Sequence, residues 1–362
     1  MSAKTASGGV PARQPSRICV IGGAGFLGST LVEQLLDEGH EVTILDAFLY
    51  GDEGIRHLLG RPDLELVCGD LRDIRVTVQA FRHADAIVHL GALVGDPACA
   101  IDEQLTLEIN RDATAKAAAI ARGLGIQRFI FASTCSIYGA SAGVLDEDSP
   151  LAPISVYARS KMESEQLLFA HHGQDFWPTV LRFGTLYGQS QRERFDLVVN
   201  LLAAQAVATG EITIFGGTQW RPFVHVRDAA DAILWCLHAP GPAVEGQVFN
   251  VGGDDENYTV AQIAEIISAA VPGVKVNMAP GTVEEANYRV SFARIRAAIG
   301  FAPQRTVADG VAEIAASIAR GAVPDYTDAR YNNYKALLSG DAMTALAEGG
   351  AQVATTATAA TG

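Results

Sequence analysis

A short hydrophobic run followed at once by closely spaced glycines is the feature that most limits the fold of this chain. The run RICVI, residues 17–21, leads into GGAGFLG, residues 22–28, and then into an amphipathic stretch. A strand, a glycine turn and a helix in that order are the first unit of a dinucleotide-binding fold. Gly22 permits the tight turn, Gly25 lets backbone amides approach a pyrophosphate, and Gly28 allows close helix–strand packing.

Strand-like and helix-like segments alternate along the rest of the chain. Continuous apolar runs such as ICVI and AIVHL predict strands that are buried on both faces, which a parallel sheet covered by helices requires. The alternation therefore predicts an α/β fold with a Rossmann-type doubly wound parallel sheet. After about residue 184 the strands become shorter, which predicts a smaller C-terminal α/β lobe that shares chain crossings with the first.

These patterns divide the chain into four parts. Residues 1–15 and 340–362 lack an apolar period and consist largely of small or polar residues, so we expect both tails to be disordered. Residues 16–184, with crossings from later segments, are predicted to form the dinucleotide-binding domain. Residues 185–330 are predicted to form mainly the substrate lobe.

Charge and composition exclude several classes of protein. The 362 residues carry a net charge of −14, which disfavours nucleic acid or an anionic membrane as a partner. The N-terminus has no apolar signal segment and no run approaches about 18 apolar residues, so we expect a soluble, cytoplasmic protein. The five cysteines show no ligand spacing. We therefore expect no metal site and no disulfide framework.

Acidic residues end the second and third predicted strands. Asp46 closes EVTILD, where it can accept hydrogen bonds from the adenosine ribose hydroxyls. Its charge would repel a 2′-phosphate and no arginine directly follows it, which favours NAD over NADP. Asp70, in CGDLRD, is a candidate adenine contact, and an ordinary acidic loop residue is the alternative.

Three residues form a candidate chemical group. Tyr157 and Lys161, in VYARSK, lie four positions apart on a predicted helix and so share one face, although this pair alone would suit any amphipathic helix. A nearby ammonium and an oxidised nicotinamide would lower the pKa of the phenol, which could then take a proton from a sugar hydroxyl while hydride leaves the same carbon. Thr134 ends the strand in FASTCSIYG, at the sheet edge where ligands bind, and can share that proton.

Nine segments occur in an order that resembles a known family. They are GGAGFLG, LDA, GDLRD, HLGAL, EINRDAT, STCSIYG, YARSK, RFGTLYG and RPFVHVRDAADA, between roughly residues 17 and 325. The chain is similar to extended short-chain dehydrogenases/reductases, and within them to the NAD-dependent nucleotide-sugar epimerase/dehydratase family typified by UDP-glucose 4-epimerases. The resemblance implies NAD as the cofactor and a nucleotide sugar as the substrate.

The resemblance also implies roles for single residues. Thr134 and Tyr157 would handle protons, and Lys161 would hold the cofactor and control the pKa. Arg221 would pair with the nucleotide diphosphate, for which paired guanidinium donors are suited, with a surface ion pair as the alternative. The candidates for cofactor binding are Gly22, Gly25, Phe26, Leu27, Asp46, Asp70, Leu71, Leu90, Ala92, Tyr157 and Lys161. The candidates for substrate binding are Ser136, Thr185, Arg192 and Arg221, and Arg194 could contribute.

Three positions depart from patterns within that family. At this point of the sequence, dehydratases of the family resemble STDEVYG and decarboxylases resemble STSEVYG. This chain has Cys135 and Ser136 at the two positions after the threonine, so it lacks both the aspartate and the glutamate of those patterns. A family of 3,5-epimerases resembles SSACIYP and has a cysteine in this segment, but that cysteine aligns with Ser136 and not with Cys135. We therefore interpret Cys135 as a packing residue. Thr185 replaces the asparagine of galactose-type epimerases and matches the threonine of uronate 4-epimerases. This match favours a uronate or another altered sugar as the substrate.

The hypothesis from sequence is an NAD-dependent nucleotide-sugar epimerase acting at C4 through a transient 4-keto sugar of the UDP-hexose or UDP-uronate type. The alternatives are a 4-keto-sugar reductase or other nucleotide-sugar oxidoreductase of the same family, and a non-catalytic NAD-sensing protein. Family members commonly pair through two long helices. Residues 103–122 and 156–171 are the candidates here, and they predict a homodimer.

Overall fold

The computed structural model of the protein describes residues 16–279, 287–339 and 342–347. The predicted tail at residues 1–15 lies outside these residues, as does most of the predicted tail at 340–362. Several of the strands are apolar and buried along nearly their whole length. The strands are β1 (Arg17–Ile21), β2 (Glu41–Asp46), β3 (Leu64–Cys68), β4 (Ala86–His89), β5 (Arg128–Thr134), β6 (Val144–Leu145), β7 (Trp177–Phe183), β8 (Thr185–Tyr187), β9 (Glu211–Phe215), β10 (Trp220–His225), β11 (Val248–Val251), β12 (Asn257–Thr259), β13 (Lys275–Ala279) and β14 (Arg289–Val290).

Seven of these strands form one sheet in the order β11-β7-β5-β4-β1-β2-β3. The pairings within it are parallel. The chain runs outward from β1 to β3 and then returns to β4 on the other side of β1. Such a reversal leaves a crevice beyond the carboxyl ends of the strands, where open α/β sheets bind ligands. The predicted Rossmann-type doubly wound sheet is therefore confirmed.

Helices cover both faces of this sheet. They are α1 (Phe26–Asp37), α2 (Ile74–Phe81), α3 (Asp96–Cys99), α4 (Glu103–Leu107), α5 (Ala113–Gly123), α6 (Val156–Ala170), α7 (Val198–Thr209), α8 (Val226–His238), α9 (Gly241–Val244), α10 (Val260–Ala270), α11 (Ala293–Ile299), α12 (Val307–Ala319), α13 (Asn333–Ser339) and α14 (Ala342–Ala347). α1 and α8 bury Leu31 and Ile233 on one face. α2, α5 and α6 bury Phe81, Ala117 and Leu168 on the other. Across the described residues, no helix has both the length and the hydropathy that crossing a bilayer requires.

The glycine turn between β1 and α1 has a geometry that only glycine tolerates. Gly22 has a φ of 81°, and a Cβ there would lie 2.6 Å from the backbone nitrogen of Gly91. A Cβ at Gly28, in the first turn of α1, would overlap the carbonyl oxygen of Gly22. The start of α1 therefore sits directly against the ends of β1 and β4 because these positions lack side chains.

The second half of the chain builds a smaller α/β lobe beside the sheet. β8, β10 and β12 form a three-stranded sheet and β9 pairs with β13. α7, α10 and α12 pack around Phe223, Ile263 and Val311. The same half contributes β11, which pairs with β7, and α8 to the main sheet. A domain boundary at residue 184 stays a prediction.

The described part of the C-terminal tail differs from the disorder expected for residues 340–362. Residues 342–347 form α14, which packs against α13. Leu337 and Leu346 are buried with Leu93 and Leu105 near the carboxyl edge of the main sheet. One buried leucine in each short helix leaves no periodic pattern in the sequence, so tertiary contacts rather than local propensity explain this helix.

Candidate active site

A cavity of ≈ 410 Å³ occupies the crevice at the carboxyl edge of the main sheet. Its volume lies within the range of about 300–1,000 Å³ that is typical of small-molecule sites. The substrate candidates Ser136, Thr185 and Arg192 line it, whereas Arg221 is not part of the wall. All cofactor candidates line it, namely Gly22, Gly25, Phe26, Leu27, Asp46, Asp70, Leu71, Leu90, Ala92, Tyr157 and Lys161.

Asp46 connects the end of β2 to the glycine turn. Its carboxylate accepts hydrogen bonds from the backbone N–H of Ala24, at 3.0 Å, and from that of Phe48, at 2.8 Å. Burial raises the pKa of Asp46, and these two backbone hydrogen bonds oppose the rise. A carboxylate held beside a glycine turn is placed to accept hydrogen bonds from ribose hydroxyls and to disfavour a 2′-phosphate.

Asp70 links the cavity to the C-terminal helices. Its carboxylate pairs with Arg72, with 2.6 Å between Nη2 and Oδ2, and Arg72 also donates to the carbonyl oxygen of Leu346. The side chain of Leu346 lines the cavity. Helix α14 therefore completes the wall next to Asp70, and the sequence did not predict this contact.

Thr134, Tyr157 and Lys161 reach the cavity from two elements. Thr134 ends β5, and its Oγ1 accepts a hydrogen bond from the N–H of Ser136 at 3.1 Å. Tyr157 lies in the first turn of α6 and Lys161 one turn later. The Lys161 ammonium donates to the carbonyl oxygen of Ala132 at 2.8 Å. The structure thus places all three predicted catalytic side chains on one wall, beside the carboxyl end of β5.

Burial shifts the pKa of both Tyr157 and Lys161. Burial raises the pKa of Tyr157, the charge of Asp96 adds to the rise, and Arg194 and a hydrogen bond with Thr134 oppose it. Burial also lowers the pKa of Lys161 to about 8. Desolvation of the phenol therefore outweighs the opposing effects of Arg194 and Thr134. An oxidised nicotinamide bound in the cavity would add the positive charge that favours the phenolate.

Two arginines line the cavity from the loop between β8 and α7. The Arg192 guanidinium lies 4.6 Å from the ring centroid of Tyr50, and its buried Nε has no hydrogen-bond partner among the described residues. Arg194 instead pairs with Asp196 at 2.9 Å. Burial lowers the pKa of Arg192 to about 10, and the charge of Arg194 adds to this effect. A buried guanidinium with an unused donor is suited to bind an anion such as a phosphate.

Arg221 lies next to the wall of the cavity and is not among the residues that line it. Its guanidinium is 5.6 Å from the ring centroid of Tyr288 and donates to the carbonyl oxygen of Trp220 at 2.9 Å. Tyr288 does line the cavity, and its hydroxyl is 3.3 Å from that of Ser136. Arg221 therefore adjoins a residue of the wall, and its pairing with the substrate diphosphate stays a prediction.

Cys135 faces away from the cavity. Its side chain is fully buried, and its thiol donates to the carbonyl oxygen of Arg182 at 3.2 Å. Burial raises the pKa of this thiol, whereas a reactive cysteine needs a lowered pKa and solvent access. These observations agree with the interpretation of Cys135 as a packing residue.

Several residues of the wall were missed from sequence. They come from segments without a strand or glycine pattern, so only the tertiary fold brings them to the sheet edge. Among these segments, the pair Asp96-Pro97 has a pattern that could have predicted a helix start, since proline is common in the first turn of a helix. The missed residues are Tyr50, Asp96, Tyr288, Asn333 and Leu346.

Comparison with known proteins decides the family. A model of the NAD dependent epimerase/dehydratase family matches residues 18–252. The chain belongs to this family. A UDP-glucose 4-epimerase of Mycolicibacterium smegmatis (strain ATCC 700084 / mc(2)155) is 32% identical over 306 residues, which cover 82% of this chain and 96% of that protein.

Solved structures of the epimerase/dehydratase family share the architecture. A Thermus thermophilus UDP-glucose 4-epimerase in complex with NAD is 27% identical with a TM-score of 0.73, covering 85% of this chain and 100% of that one. DesIV, a dTDP-glucose 4,6-dehydratase from Streptomyces venezuelae with NAD and TYD bound, is 27% identical with a TM-score of 0.75, covering 84% and 98%. The same fold thus serves more than one reaction on nucleotide sugars.

NAD is the cofactor of this family, and the cavity fits it. The bare glycine turn leaves room for a diphosphate, since side chains at Gly22 or Gly28 would fill that space. Asp46 stands beside the turn for the ribose, and Lys161 lines the same cavity.

Proposed function

We propose that this family member is a nucleotide-sugar 4-epimerase that works through a transient 4-keto sugar. The observation that carries the proposal is one cavity lined by Thr134, Tyr157, Lys161 and the glycine turn, while no carboxylate stands at the two positions after Thr134. The groups needed to oxidise and reduce a hydroxyl are present. The acid that would protonate a departing hydroxyl is missing at Cys135 and Ser136.

The side chains of the chain have distinct tasks in this mechanism. Bound NAD supplies the acceptor and the donor of hydride. Tyr157 takes the proton of the sugar 4-hydroxyl and later returns it, and the hydroxyl of Thr134 bridges the two oxygens. Lys161, with a pKa of about 8, is mostly protonated at pH 7 and can hold the nicotinamide ribose through its ammonium.

The rest of the cavity suggests how the substrate is held. Arg192 offers a buried cationic donor for a diphosphate or for the carboxylate of a uronate. Ser136 and Thr185 add hydroxyls on the wall beside Thr134. We therefore propose a UDP-hexose or a UDP-uronate as the substrate class, with Ser136, Thr185 and Arg192 as its contacts.

A panel of nucleotide sugars tests this function. Purified protein would be incubated with UDP-glucose, UDP-galactose, UDP-glucuronate, UDP-galacturonate and dTDP-glucose, and the products followed by NMR and mass spectrometry. We expect one pair to interconvert as C4 epimers with unchanged mass. Loss of water or of carbon dioxide would instead show a dehydratase or a decarboxylase.

The state of the cofactor separates the epimerase from a reductase. An epimerase returns its hydride within each cycle, so we expect NAD to copurify with the protein at close to one molecule per chain. Protein that holds no nucleotide and oxidises free NADH in the presence of a 4-keto sugar would show a ketoreductase.

Replacing Arg221 with alanine tests the role proposed for it toward the substrate diphosphate. We expect nucleotide-sugar KM to rise roughly 10- to 100-fold, as expected for loss of a charged hydrogen bond, while the NAD content stays unchanged. Arg227→Ala, in the same RPFVHVRD motif but exposed on α8, is the matched control and should leave both values unchanged. Equal loss of substrate and NAD binding would make Arg221 a structural residue, supporting the cavity only through Tyr288.

The segments predicted to form a dimer lie together on one side of the molecule. α4 and α5 pack against α6, where Glu103 and Arg159 form an exposed ion pair at 3.3 Å. We propose that these helices meet those of a second copy. Light scattering should then give twice the chain mass of 38.2 kDa, and elution as a monomer at micromolar concentration would contradict the dimer.

A further inference from the structure

Three side chains that play no part in the proposed function converge at the edge of the sheet remote from the cavity. Glu38 and His40 flank Gly39 in the turn between α1 and β2, and His238 ends α8. Gly39 has a φ of 84°, a conformation suited to glycine, and this bend brings its two neighbours toward α8. The segments are 198 residues apart in sequence.

The ligand atoms of these side chains form a small triangle. The Nε2 atoms of His40 and His238 are 3.3 Å apart. Glu38 Oε2 lies 3.3 Å from Nε2 of His238 and 3.7 Å from Nε2 of His40. The two imidazole rings are stacked, with 5.6 Å between centroids and 28° between planes. One nitrogen from each ring and one carboxylate oxygen therefore lie within 3.7 Å of one another.

The triangle has the dimensions of a tetrahedral metal site. Zinc–nitrogen distances of about 2.0–2.1 Å and zinc–oxygen distances of about 2.0–2.2 Å place neighbouring ligand atoms about 3.3–3.5 Å apart. Two of the three separations fall in this range, and the third, between Glu38 and His40, is longer at 3.7 Å. A direct N–H···N hydrogen bond between the rings at 3.3 Å is the competing explanation, and the zinc titration described below separates the two. We propose that Glu38, His40 and His238 bind a divalent transition-metal ion, with Zn²⁺ best matched to the two imidazoles and one carboxylate.

The surroundings allow such an ion to bind. An imidazole ligates metals in its neutral form, and its ordinary pKa of about 6.5 makes that form predominant at pH 7. Glu38 and His238 also border a second cavity of ≈ 610 Å³, so water can reach the fourth position.

The ion would join two helices that bury each other against the main sheet. α1 begins at the glycine turn of the cofactor cavity and ends at this site, and α8 ends at it. Because the ion binds the folded chain and not the unfolded one, it raises the free energy of unfolding in proportion to the logarithm of metal concentration. This site departs from the sequence prediction of no metal, which rested on the spacing of residues near one another in the chain.

The test is zinc binding by the full chain after treatment with a chelator and its removal. All variants would carry Cys68→Ser, because the thiol of Cys68 is exposed and could bind zinc itself. Calorimetric titration should show one Zn²⁺ per chain. His40→Gln, His238→Gln and Glu38→Gln should each weaken that binding by at least about tenfold. Co²⁺ should give the visible spectrum of a tetrahedral site in the parent and not in the two histidine variants.

His57→Gln is the matched control. His57 contacts a single carboxylate, that of Glu33, at 3.5 Å, without a second imidazole, so its loss should not change zinc affinity. Zinc should raise the unfolding temperature of the parent and of His57→Gln but not of His238→Gln. If Glu38→Gln, an exposed and well-tolerated change, binds zinc as tightly as the parent, or if the parent binds none, the proposal is wrong.

Discussion

Replacing Tyr157 with phenylalanine is expected to lower kcat by roughly 10²- to 10⁴-fold while bound NAD stays in place. The change removes one oxygen from the cavity wall and keeps the ring, so the shape of the site is retained. The proton of the sugar hydroxyl then loses its acceptor, and Thr134 cannot replace it because an aliphatic hydroxyl is a much weaker base. The measurement is kcat from the NMR assay together with the absorbance of bound nucleotide.

Tyr326→Phe provides the control for this substitution. Tyr326 packs edge-on against Phe195 outside the cavity, so removal of its hydroxyl should leave kcat unchanged. A Tyr157→Phe enzyme that keeps more than a third of the parental kcat would remove the phenol from the mechanism. A non-catalytic NAD-sensing protein would show no turnover in the parent either.

Replacing Glu165 with leucine is expected to reduce the free energy of unfolding by about 3–5 kcal/mol. The side chains of Glu165 and Arg182 are only 4% and 5% exposed and pair at 2.7 Å. Ser133 also donates to Glu165, and Arg182 donates to the hydroxyl of Tyr138 at 2.9 Å. The change leaves a buried guanidinium without its counter-charge directly behind the strand that ends at Thr134, and urea unfolding measures the cost.

A second substitution identifies the cause of this loss. Adding Arg182→Met to Glu165→Leu removes both charges, so the double variant should be more stable than Glu165→Leu alone. Arg75→Ala breaks the ion pair with Asp73 at a side chain that is 91% exposed, and should change stability little. A double variant less stable than Glu165→Leu would mean that packing, and not the unpaired charge, sets the cost.

Local patterns explain why the fold and the cofactor wall were predictable. Gly22 and Gly28 occupy positions where a side chain would strike backbone, and this requirement appears directly as a glycine pattern after a buried strand. Asp46 follows from the end of the next strand. Tyr157 and Lys161 follow from helical spacing, since residues four apart share a face. Each of these features depends on a few neighbouring residues.

Features that depend on distant contacts were not predictable in the same way. The helix at 342–347 is stabilised by burial of Leu346, and no periodic pattern in the sequence predicts this helix. Tyr288, which lines the cavity and lies next to Arg221, comes from a later segment that carries no motif. Burial raises the pKa of Tyr157, whereas the expected fall depends on the positive charge of a bound oxidised nicotinamide. Desolvation depends on the whole packed structure, which a sequence pattern does not contain.

The fate of the hydrogen at C4 tests the proposed chemistry most directly. The nucleotide sugar that the panel identifies would be prepared with deuterium at C4, converted in unlabelled water, and the epimer examined by NMR. Hydride passed to the bound cofactor and returned to the same carbon predicts that the epimer keeps its deuterium at C4 with no net formation of NADH. An epimer that has exchanged this deuterium for solvent hydrogen would contradict the mechanism assigned to Tyr157 and NAD.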